Sequence, residues 1–354
     1  MASQYSICVM PGDGIGVEVT DCARRVLDAL AQRGGPSFTY DVRPGGHGTY
    51  LECGRALPEE SMTAAREADA VLVGAMDVAQ IPPDGGEPLG ILRNWLEVAA
   101  SVRPSRAIAG IDSPSKDIDC LIVRVVTEGM YSGIEYMSGD DAACAVRLIT
   151  RKACERAARM AFTQAVARKR AREGTPAENK TARVTAVHKI GVLKLTDGLF
   201  LEVCKQIAQE FPEIEYETKN IDACAMDMVR HPAYFDVIVA TNAFGDILSD
   251  IGAGLAAGLG LASSACIGEQ WAYFEPVHGT APDIAGKGIA NPCATVLTVA
   301  MMLQYLGEAA SADAVEAAVY GVLEAGQVRT GDLGGTANST EMTDAIIAAL
   351  PEKV

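Results

Sequence analysis

The sequence predicts an α/β protein of two domains, and three observations carry that prediction. Short apolar runs of strand length alternate with longer amphipathic stretches along most of the 354 residues, as expected where helices cover a largely parallel sheet. A chain of that length exceeds the ordinary size of a single domain. The glycine-rich turn near the start, PGDGIGVEV from Pro11 to Val19, lacks the G-x-G-x-x-G spacing, so a Rossmann unit is not expected.

Composition narrows the function classes. With 49% hydrophobic and 21% charged residues the chain reads as an ordinary soluble globular protein. Its formal net charge of −16 argues against nucleic acid as a partner, because phosphate backbones are bound by basic faces. Ten cysteines are scattered from Cys8 to Cys293, none closer together than Cys144 and Cys154. That excludes a C-x-x-C zinc or redox pattern and suits buried thiols in a reducing cytosol. MASQYSICVM lacks the basic start and apolar core of a signal peptide, and no uncharged apolar run reaches the ~18 residues of a membrane span. A cytoplasmic protein without membrane contact is expected.

The elements follow in order. Tyr5 to Met10 reads as a buried strand, and the glycine-rich turn leads into a helix running to about Arg33; glycines there allow a tight turn, and the helix N-terminus favours an anion. A strand near Phe38 to Val42, a helix near Pro58 to Glu67 and a strand at Ala70 to Val73 continue the alternation. After a Pro/Gly-rich loop, Ile81 to Leu89, a helix from about Gly90 to Ala99 carries Arg93. Arg103 follows in SVRP, and Arg124 lies near the end of the apolar strand CLIVRV. Three arginines at element ends suit a substrate with several carboxylates, since guanidinium forks match carboxylates; each taken singly also fits a surface role.

Residues Thr127 to Arg147 mix Gly, Tyr, Ser and Asp with short β-prone pieces and suit an arm that pairs with another subunit. A long helix from Arg151 to about Arg172 and an exposed linker, EGTPAENKTA, lead to the strand RVTAVHK, which ends at Lys189. A lysine there is either paired, desolvated or snorkelling to the surface. A helix from Thr196 to about Phe211 follows, and Asp222 opens another helix, where it also suits a simple N-cap. The stretch Phe274 to Pro292 reads as a long loop without periodicity, of the kind that usually carries function. Helices from Asn291 to about Leu306 and beyond complete the chain.

The most informative stretch is Phe235 to Gly260, FDVIVATNAFGDILSDIGAGLAAGLG. It reads as a strand, a turn with Thr241 and Asn242, and a helix opening with Asp246 and Asp250. Four helical residues advance about 40° beyond a full turn, so the two carboxylates share a face. Such a pair suits Mg²⁺ or Mn²⁺, which prefer oxygen ligands. A solvated helix start with acids at the positive dipole end is the plainer alternative. The flanking apolar strand and Gly/Ala helix favour a cation.

Taken together, PGDGIGVEV, LRNWLEVAASVRP, VRVVTEGMYSG, VHKIGVLK, FDVIVATNAFGDILSDIGAGLAAGLG and EPVHGTAPDIAGKGIANP resemble, in this order, the β-decarboxylating dehydrogenases. That family includes isocitrate, homoisocitrate and 3-isopropylmalate dehydrogenases. The resemblance implies an isocitrate/isopropylmalate dehydrogenase-like fold, two α/β domains around a central cleft. It places a large cofactor-binding domain at 1–99 plus 253–354 and a small domain at 100–252 with a dimerisation arm at about 127–147. It also implies a homodimer or higher homo-oligomer whose sites are shared between subunits.

By the same resemblance Arg93, Arg103 and Arg124 hold the malate moiety, while Tyr131 and Lys189 are the catalytic acid and base, the lysine reaching the neighbouring subunit's site. Asp222, Asp246 and Asp250 match the metal ligands. His278, Gly279, Thr280, Ala281, Asp283 and Asn291 match the loop that holds the adenosine half of the cofactor. Asp283 favours NAD, because a carboxylate accepts hydrogen bonds from the ribose and repels a 2′-phosphate.

The group on C3 of the malate is read, in the family, mainly by the residues before Arg93, here GGEPLGIL. Isocitrate enzymes typically carry serine and asparagine where this chain has Glu87 and Leu89. VRVVTEGMYSG is nearer the isocitrate and homoisocitrate branch, although Val125 and Val126 depart from its Glu-Asn. Gly191 stands where asparagine is usual, and Gly90 also removes a side chain, with Val192 beside the same pocket. These positions lead to the expectation of an acidic γ-group, isocitrate- or homoisocitrate-like or a phosphonate analogue, on a di- or tricarboxylate substrate. A 3-isopropylmalate dehydrogenase, which Leu89 suits, and a non-catalytic subunit of an NAD-dependent isocitrate dehydrogenase are the alternatives.

Overall fold

The computed structural model describes residues 3–353. In chain order the first elements are β1 (Gln4–Gly12), α1 (Gly16–Gln32), β2 (Ser37–Val42), α2 (His47–Cys53), α3 (Glu59–Glu67), β3 (Ala70–Ala75) and α4 (Pro88–Trp95). Next come β4 (Val98–Arg106), β5 (Asp119–Val125), β6 (Glu135–Ser138), β7 (Ala142–Ala145), α5 (Arg151–Ala171), β8 (Arg183–His188) and α6 (Thr196–Ala208). Then follow β9 (Glu215–Asn220), α7 (Ile221–Arg230), β10 (Val237–Ala240), α8 (Asn242–Leu255), β11 (Ser263–Gly268) and β12 (Ala272–Pro276). The chain closes with α9 (Cys293–Tyr305), α10 (Ala309–Ala325) and α11 (Ser339–Ala349).

The chain divides into two compact units, one of Met1–Glu97, Ile108–Pro114 and Ala257–Val354, the other of Val98–Ala107 and Ser115–Ala256. In the first, the strand order is β2-β1-β3-β12-β11. Its strands run parallel from β2 to β12, and β11 is antiparallel to β12. Helix α9 is buried on nearly every side, including Val296, Leu297, Val299, Met302 and Leu303, and an all-apolar helix of that kind belongs in a core. It packs with Val26, Leu27 and Leu30 of α1, Val315 and Val319 of α10, and Phe274 of β12. Asn338 and Glu341 close a capping box at the start of α11, satisfying N–H groups the helix itself leaves unbonded.

The second unit has the order β4-β5-β10-β8-β9 and a separate two-stranded ribbon of β6 and β7. β4 is antiparallel to β5, whereas β5, β10, β8 and β9 are parallel. Its interior beneath α7 and α8 includes Ile122, Val187, Cys224, Met228, Phe235, Ile238 and Leu248. Asp236, wholly buried, is held by Arg168 Nε at 2.7 Å and by both Nη1 and Nη2 of Arg172 at 2.7 and 2.9 Å.

The helix expected from about Gly90 to Ala99 ends earlier than the sequence suggests. The helix carrying Arg93 starts at Pro88 and ends at Trp95, and Val98 to Arg106, including Arg103, form a strand. Glu87 caps the helix start with its side chain, and Glu97 has a φ of 48°, a left-handed conformation that a helix does not continue through.

Candidate active site

The second unit gathers one cluster around Asp246. Helix α8 leaves β10 directly, and β10 is paired with β5, Ala240 opposite Arg124. Close approach of α8 to β4 and β5 depends on two glycines. A Cβ on Gly245 would lie 2.8 Å from Arg124 Cβ, and one on Gly252 would lie 2.3 Å from Ser105 Oγ. With those side chains absent, Asp246 in the first turns of α8 reaches the strand arginines.

Asp246 Oδ1 accepts from Arg103 Nη1 at 3.0 Å and from Arg124 Nη1, while Oδ2 accepts from the Tyr131 hydroxyl at 2.8 Å. Both arginines are nearly buried, with 6% and 2% exposure, so neither sits on a solvated face. Arg103 Nη1 also donates to Ser249 Oγ at 2.8 Å. Arg124 Nε and Nη2 donate to Asn242 Oδ1 at 3.1 and 2.7 Å, and Asn242 Nδ2 donates to the Glu128 carbonyl at 2.8 Å. Tyr131 lies in a short 3-10 turn, Met130–Ser132, with the Arg124 guanidinium 5.2 Å from its ring centre.

Burial alone would lift the Asp246 carboxyl, but Arg124 and then Arg103 outweigh it and hold it below the usual carboxylate range. Asp250, one turn on, is pushed the other way, first by burial and then by Asp246. Two neighbouring carboxylates that titrate apart in this manner are a place where a cation relieves repulsion. Among the described residues, no group of three or more His, Cys, Asp or Glu side chains is arranged to hold a metal ion. Asp222 is accordingly not gathered with Asp246 and Asp250 within one chain.

Asp222 stands instead in the first turn of α7, where Lys189 Nζ donates to its Oδ1 at 2.6 Å. That hydrogen bond lowers the Asp222 carboxyl. Of the options the sequence leaves for Lys189, the structure has the paired one. The residue follows the last position of β8, and its backbone N–H donates to the buried carboxylate of Asp197. Beyond it, Gly191 faces open space, with no atom within 4 Å of where a Cβ would stand, and Val192 is 72% exposed.

In the first unit Arg93 lies in the last turn of α4, 6% exposed. Its Nε donates to Tyr273 Oη at 2.8 Å, and Nη2 pairs with Glu275 Oε1 at 3.5 Å. Tyr273 donates in turn to Glu275 at 3.1 Å. At the other end of α4, Glu87 Oε1 accepts from Leu89 N at 3.0 Å and Oε2 from Gly90 N. Leu89 and Gly90 are therefore the capped first turn of the helix.

The loop after β12 borders a cavity of about 470 Å³, lined by His278, Asn291, Ile284, Ile15 and Asp332 among others. Asn291 Nδ2 donates to Asp332 Oδ2 at 2.9 Å, and its Oδ1 accepts from Cys293 N at 3.0 Å. His278 Nε2 is buried with no hydrogen-bond partner, and burial holds its imidazole toward the neutral form. Thr280 meets the glycine-rich turn, its carbonyl accepting from Ile15 N at 2.9 Å. A Cβ on Gly14, whose φ is +57°, would lie 2.2 Å from that carbonyl. Ala281 has a φ of 40°, and Gly279 and Asp283 are exposed on the same loop. Asp332 and Ile15 are lining residues that sequence reasoning did not select. Ile15 lay in a motif already marked as glycine-rich, whereas Asp332 lies in a segment with no chemical signature of its own.

Asp13 of the glycine-rich turn plays a structural part. Its carboxylate accepts from the backbone N–H groups of His47, Gly48 and Asp77 at 2.8, 2.9 and 2.8 Å. Three amide donors on one carboxylate fix the turn to α2 and to the end of β3.

Comparison with known proteins adds what geometry alone does not. Residues 6–346 match the model of the isocitrate/isopropylmalate dehydrogenase family. The chain is 45% identical over 349 residues to the 3-isopropylmalate/3-methylmalate dehydrogenase of Methanocaldococcus jannaschii, covering 99% of this chain and 100% of that protein. It is 44% identical over 350 residues to the isocitrate/homoisocitrate dehydrogenase of Thermus thermophilus, covering 98% of each. The crystal structure of isocitrate dehydrogenase from Methylococcus capsulatus superimposes with a TM-score of 0.88 at 40% identity, covering 98% of this chain and 99% of that one. Among the described residues no helix is long and apolar enough to cross a membrane. A match of this extent, with the motif residues in the places just described, makes the chain a member of the isocitrate/isopropylmalate dehydrogenase family and hence an oxidoreductase.

Proposed function

We propose that the protein catalyses the NAD-dependent and divalent-metal-dependent oxidative decarboxylation of a 3-substituted malate. The observation that carries this reading is the Asp246 carboxylate between Arg103, Arg124 and Tyr131. Unlike the wholly buried Asp236, which also binds two arginines, Asp246 is partly exposed and carries an exposed tyrosine, so its two guanidiniums suit a site that further negative charge can reach. Arg103 and Arg124 would bind substrate carboxylates, with Arg93 assigned the same task by family resemblance.

Asp246 and Asp250 fit a hard cation, since Asp250 gains from a neighbouring positive charge what burial and Asp246 withhold. Asp222 would complete the set from a second copy of the chain. Bound Mg²⁺ or Mn²⁺ supplies Lewis acidity at the substrate's hydroxyl and adjoining carboxylate. NAD, as hydride acceptor, fits the cavity that His278 and Asn291 line, where the unpartnered His278 Nε2 offers a polar contact. Lys189 would accept the hydroxyl proton, and Tyr131 would return one to C3 after CO₂ leaves. The arginines would hold the carboxylates as their charge shifts.

For the C3 substituent the reading is an acidic γ-group, isocitrate- or homoisocitrate-like or phosphonate. It is supported by the TEG motif, in which Glu128 is buried and bonded to Thr150, and by the open space at Gly191. A specific observation favours the alternative of an alkyl group as in 3-isopropylmalate. The α4 N–H groups that could receive an anion already bond to Glu87, a carboxylate that would repel one. Exposed apolar residues Ile134, Tyr136 and Met137 near or on the β6/β7 ribbon, with Val192 and Leu195, support assembly into a homodimer or higher oligomer.

Initial rates of NADH formation with Mg²⁺ on isocitrate, homoisocitrate, 3-isopropylmalate, D-malate and a phosphonomethyl malate test the reading. Preference for an acidic γ-group upholds it, and preference for 3-isopropylmalate replaces it with the alkyl reading. No turnover of any of them by the purified homo-oligomer would favour the non-catalytic subunit.

A further inference from the structure

Lys189 is positioned through its backbone. The turn after β8 is closed by Val192 N and Leu193 N, both donating to the Lys189 carbonyl at 2.9 Å. Its N–H is taken by Asp197 in the first turn of α6, a side chain with no exposure at all. A buried carboxylate requires a counter-charge, and Arg147 provides it at 2.7 Å. Arg147 Nη1 also donates to Thr196 Oγ1 at 2.6 Å, and Nη2 donates to Thr241 Oγ1 at 2.9 Å.

These contacts reach three elements at once. Arg147 follows β7 on the same hairpin as Tyr131, whose limb is tied to it by Gly129 N to the Leu148 carbonyl at 2.8 Å and Val146 N to the Ile134 carbonyl at 2.8 Å. Thr241 is the N-cap position of α8, next to Asn242, which aims Arg124 at Asp246. One guanidinium thus joins the hairpin of Tyr131, the helix of Asp246 and the turn of Lys189.

From this geometry we infer that Arg147 and Asp197 are a positioning pair for the reaction, anchoring the Lys189 turn to the hairpin and to α8 so that the lysine is presented in a fixed place to the neighbouring subunit's site. The inference rests on the reading of Lys189 as proton acceptor. Neither residue touches the reacting atoms. Their effect is on placement, where a displacement of about 1 Å can cost 10²-fold in rate.

The test compares Asp197→Asn, Arg147→Lys, Lys189→Met and the double variant Asp197→Asn/Lys189→Met. Rates are measured with NAD and Mg²⁺ on isocitrate, 3-isopropylmalate and D-malate in parallel. Arg147→Lys keeps the charge beside Asp197 but has one point of attachment where arginine has a fork, and it serves as the deciding variant if Asp197→Asn does not fold. The expected result is a fall in kcat of about tenfold or more in both positioning variants, with KM changed less than twofold; Arg147→Lys should melt close to the parent, whereas Asp197→Asn, which leaves the Arg147 charge without its partner, should melt lower. In the Lys189→Met background the Asp197 change should have no further effect on kcat, a non-additivity that a merely structural role does not produce. Wild-type kcat in folded Arg147→Lys and Asp197→Asn, with Lys189→Met inactive, overturns the positioning inference alone. Full turnover by Lys189→Met overturns the reading of Lys189 itself.

Discussion

The Glu87 carboxylate occupies the space that a side chain on Gly90 would need: Oε2 lies 2.3 Å from the position of a Cβ there. The same oxygen accepts from Gly90 N, so the helix cap and the absent side chain are one arrangement. Gly90→Ala should evict the carboxylate, which is the mobile end of a flexible chain, and lose the cap. The expected destabilisation is about 1 kcal/mol, read by urea unfolding. Glu87→Gln should raise the ratio of kcat/KM for isocitrate over 3-isopropylmalate by about tenfold, as expected for removal of a like charge from an acidic substituent's approach. An unchanged ratio would place the C3 substituent away from Glu87.

Lys189→Ala should lower turnover by roughly 10²-fold or more, as for loss of a general base, while NAD binding measured by fluorescence titration is retained. Its ion pair with Asp222 involves side chains 37% and 68% exposed, so little stability should be lost with it. Near-normal turnover would remove the lysine from the mechanism.

Much of this was legible in the sequence for a physical reason. β1, β3, β8 and β10 are buried apolar runs, and α1 and α5 carry clear periodicity, so local pattern and tertiary context agree. Asp246 and Asp250 could be placed on one face because helical spacing alone fixes it. The strand carrying Arg103 was not legible, since LEVAASVR suits either periodicity and the break is made by the positive φ of Glu97. Strands β11 and β12 form a short hairpin, SSACIG and AYFEP, that joins β3 of its unit's sheet through the long-range parallel pairing of β12. Asp197 and Arg147 escaped notice for a related reason: an acid in a first helical turn and an arginine in a polar hairpin are ordinary in sequence, and only burial makes them a pair.

Exchange of the cofactor preference is the simplest check on the adenosine loop. Asp283 is exposed and makes no demand on the fold, so Asp283→Lys should leave the melting temperature close to that of the parent. It should weaken NAD and improve NADP, because a cation favours the 2′-phosphate that the carboxylate repels. An unchanged ratio of kcat/KM for the two cofactors would place the ribose elsewhere.

Acid sensitivity should originate largely at Asp236. Burial would raise its carboxyl, but the Arg172 hydrogen bonds and the Arg168 charge more than compensate, and the folded-state value lies below the ordinary one. A group depressed in the folded state contributes stability above its unfolded pKa, about 3.9, and loses it as pH falls through the folded value. Unfolding free energy from urea titration should therefore be insensitive to this group above about pH 5 and decline below about pH 4. Asp236→Asn leaves two buried guanidiniums without their charge partner and should cost about 3–5 kcal/mol at neutral pH. Because the variant has no carboxyl at 236 to protonate, its stability should fall less steeply between pH 5 and 3 than that of the parent. An equal acid slope in the two proteins would assign the proton uptake to other carboxylates, such as Asp119, lowered chiefly by Arg168 against its burial, and Asp246, lowered by Arg124 and Arg103 against its own.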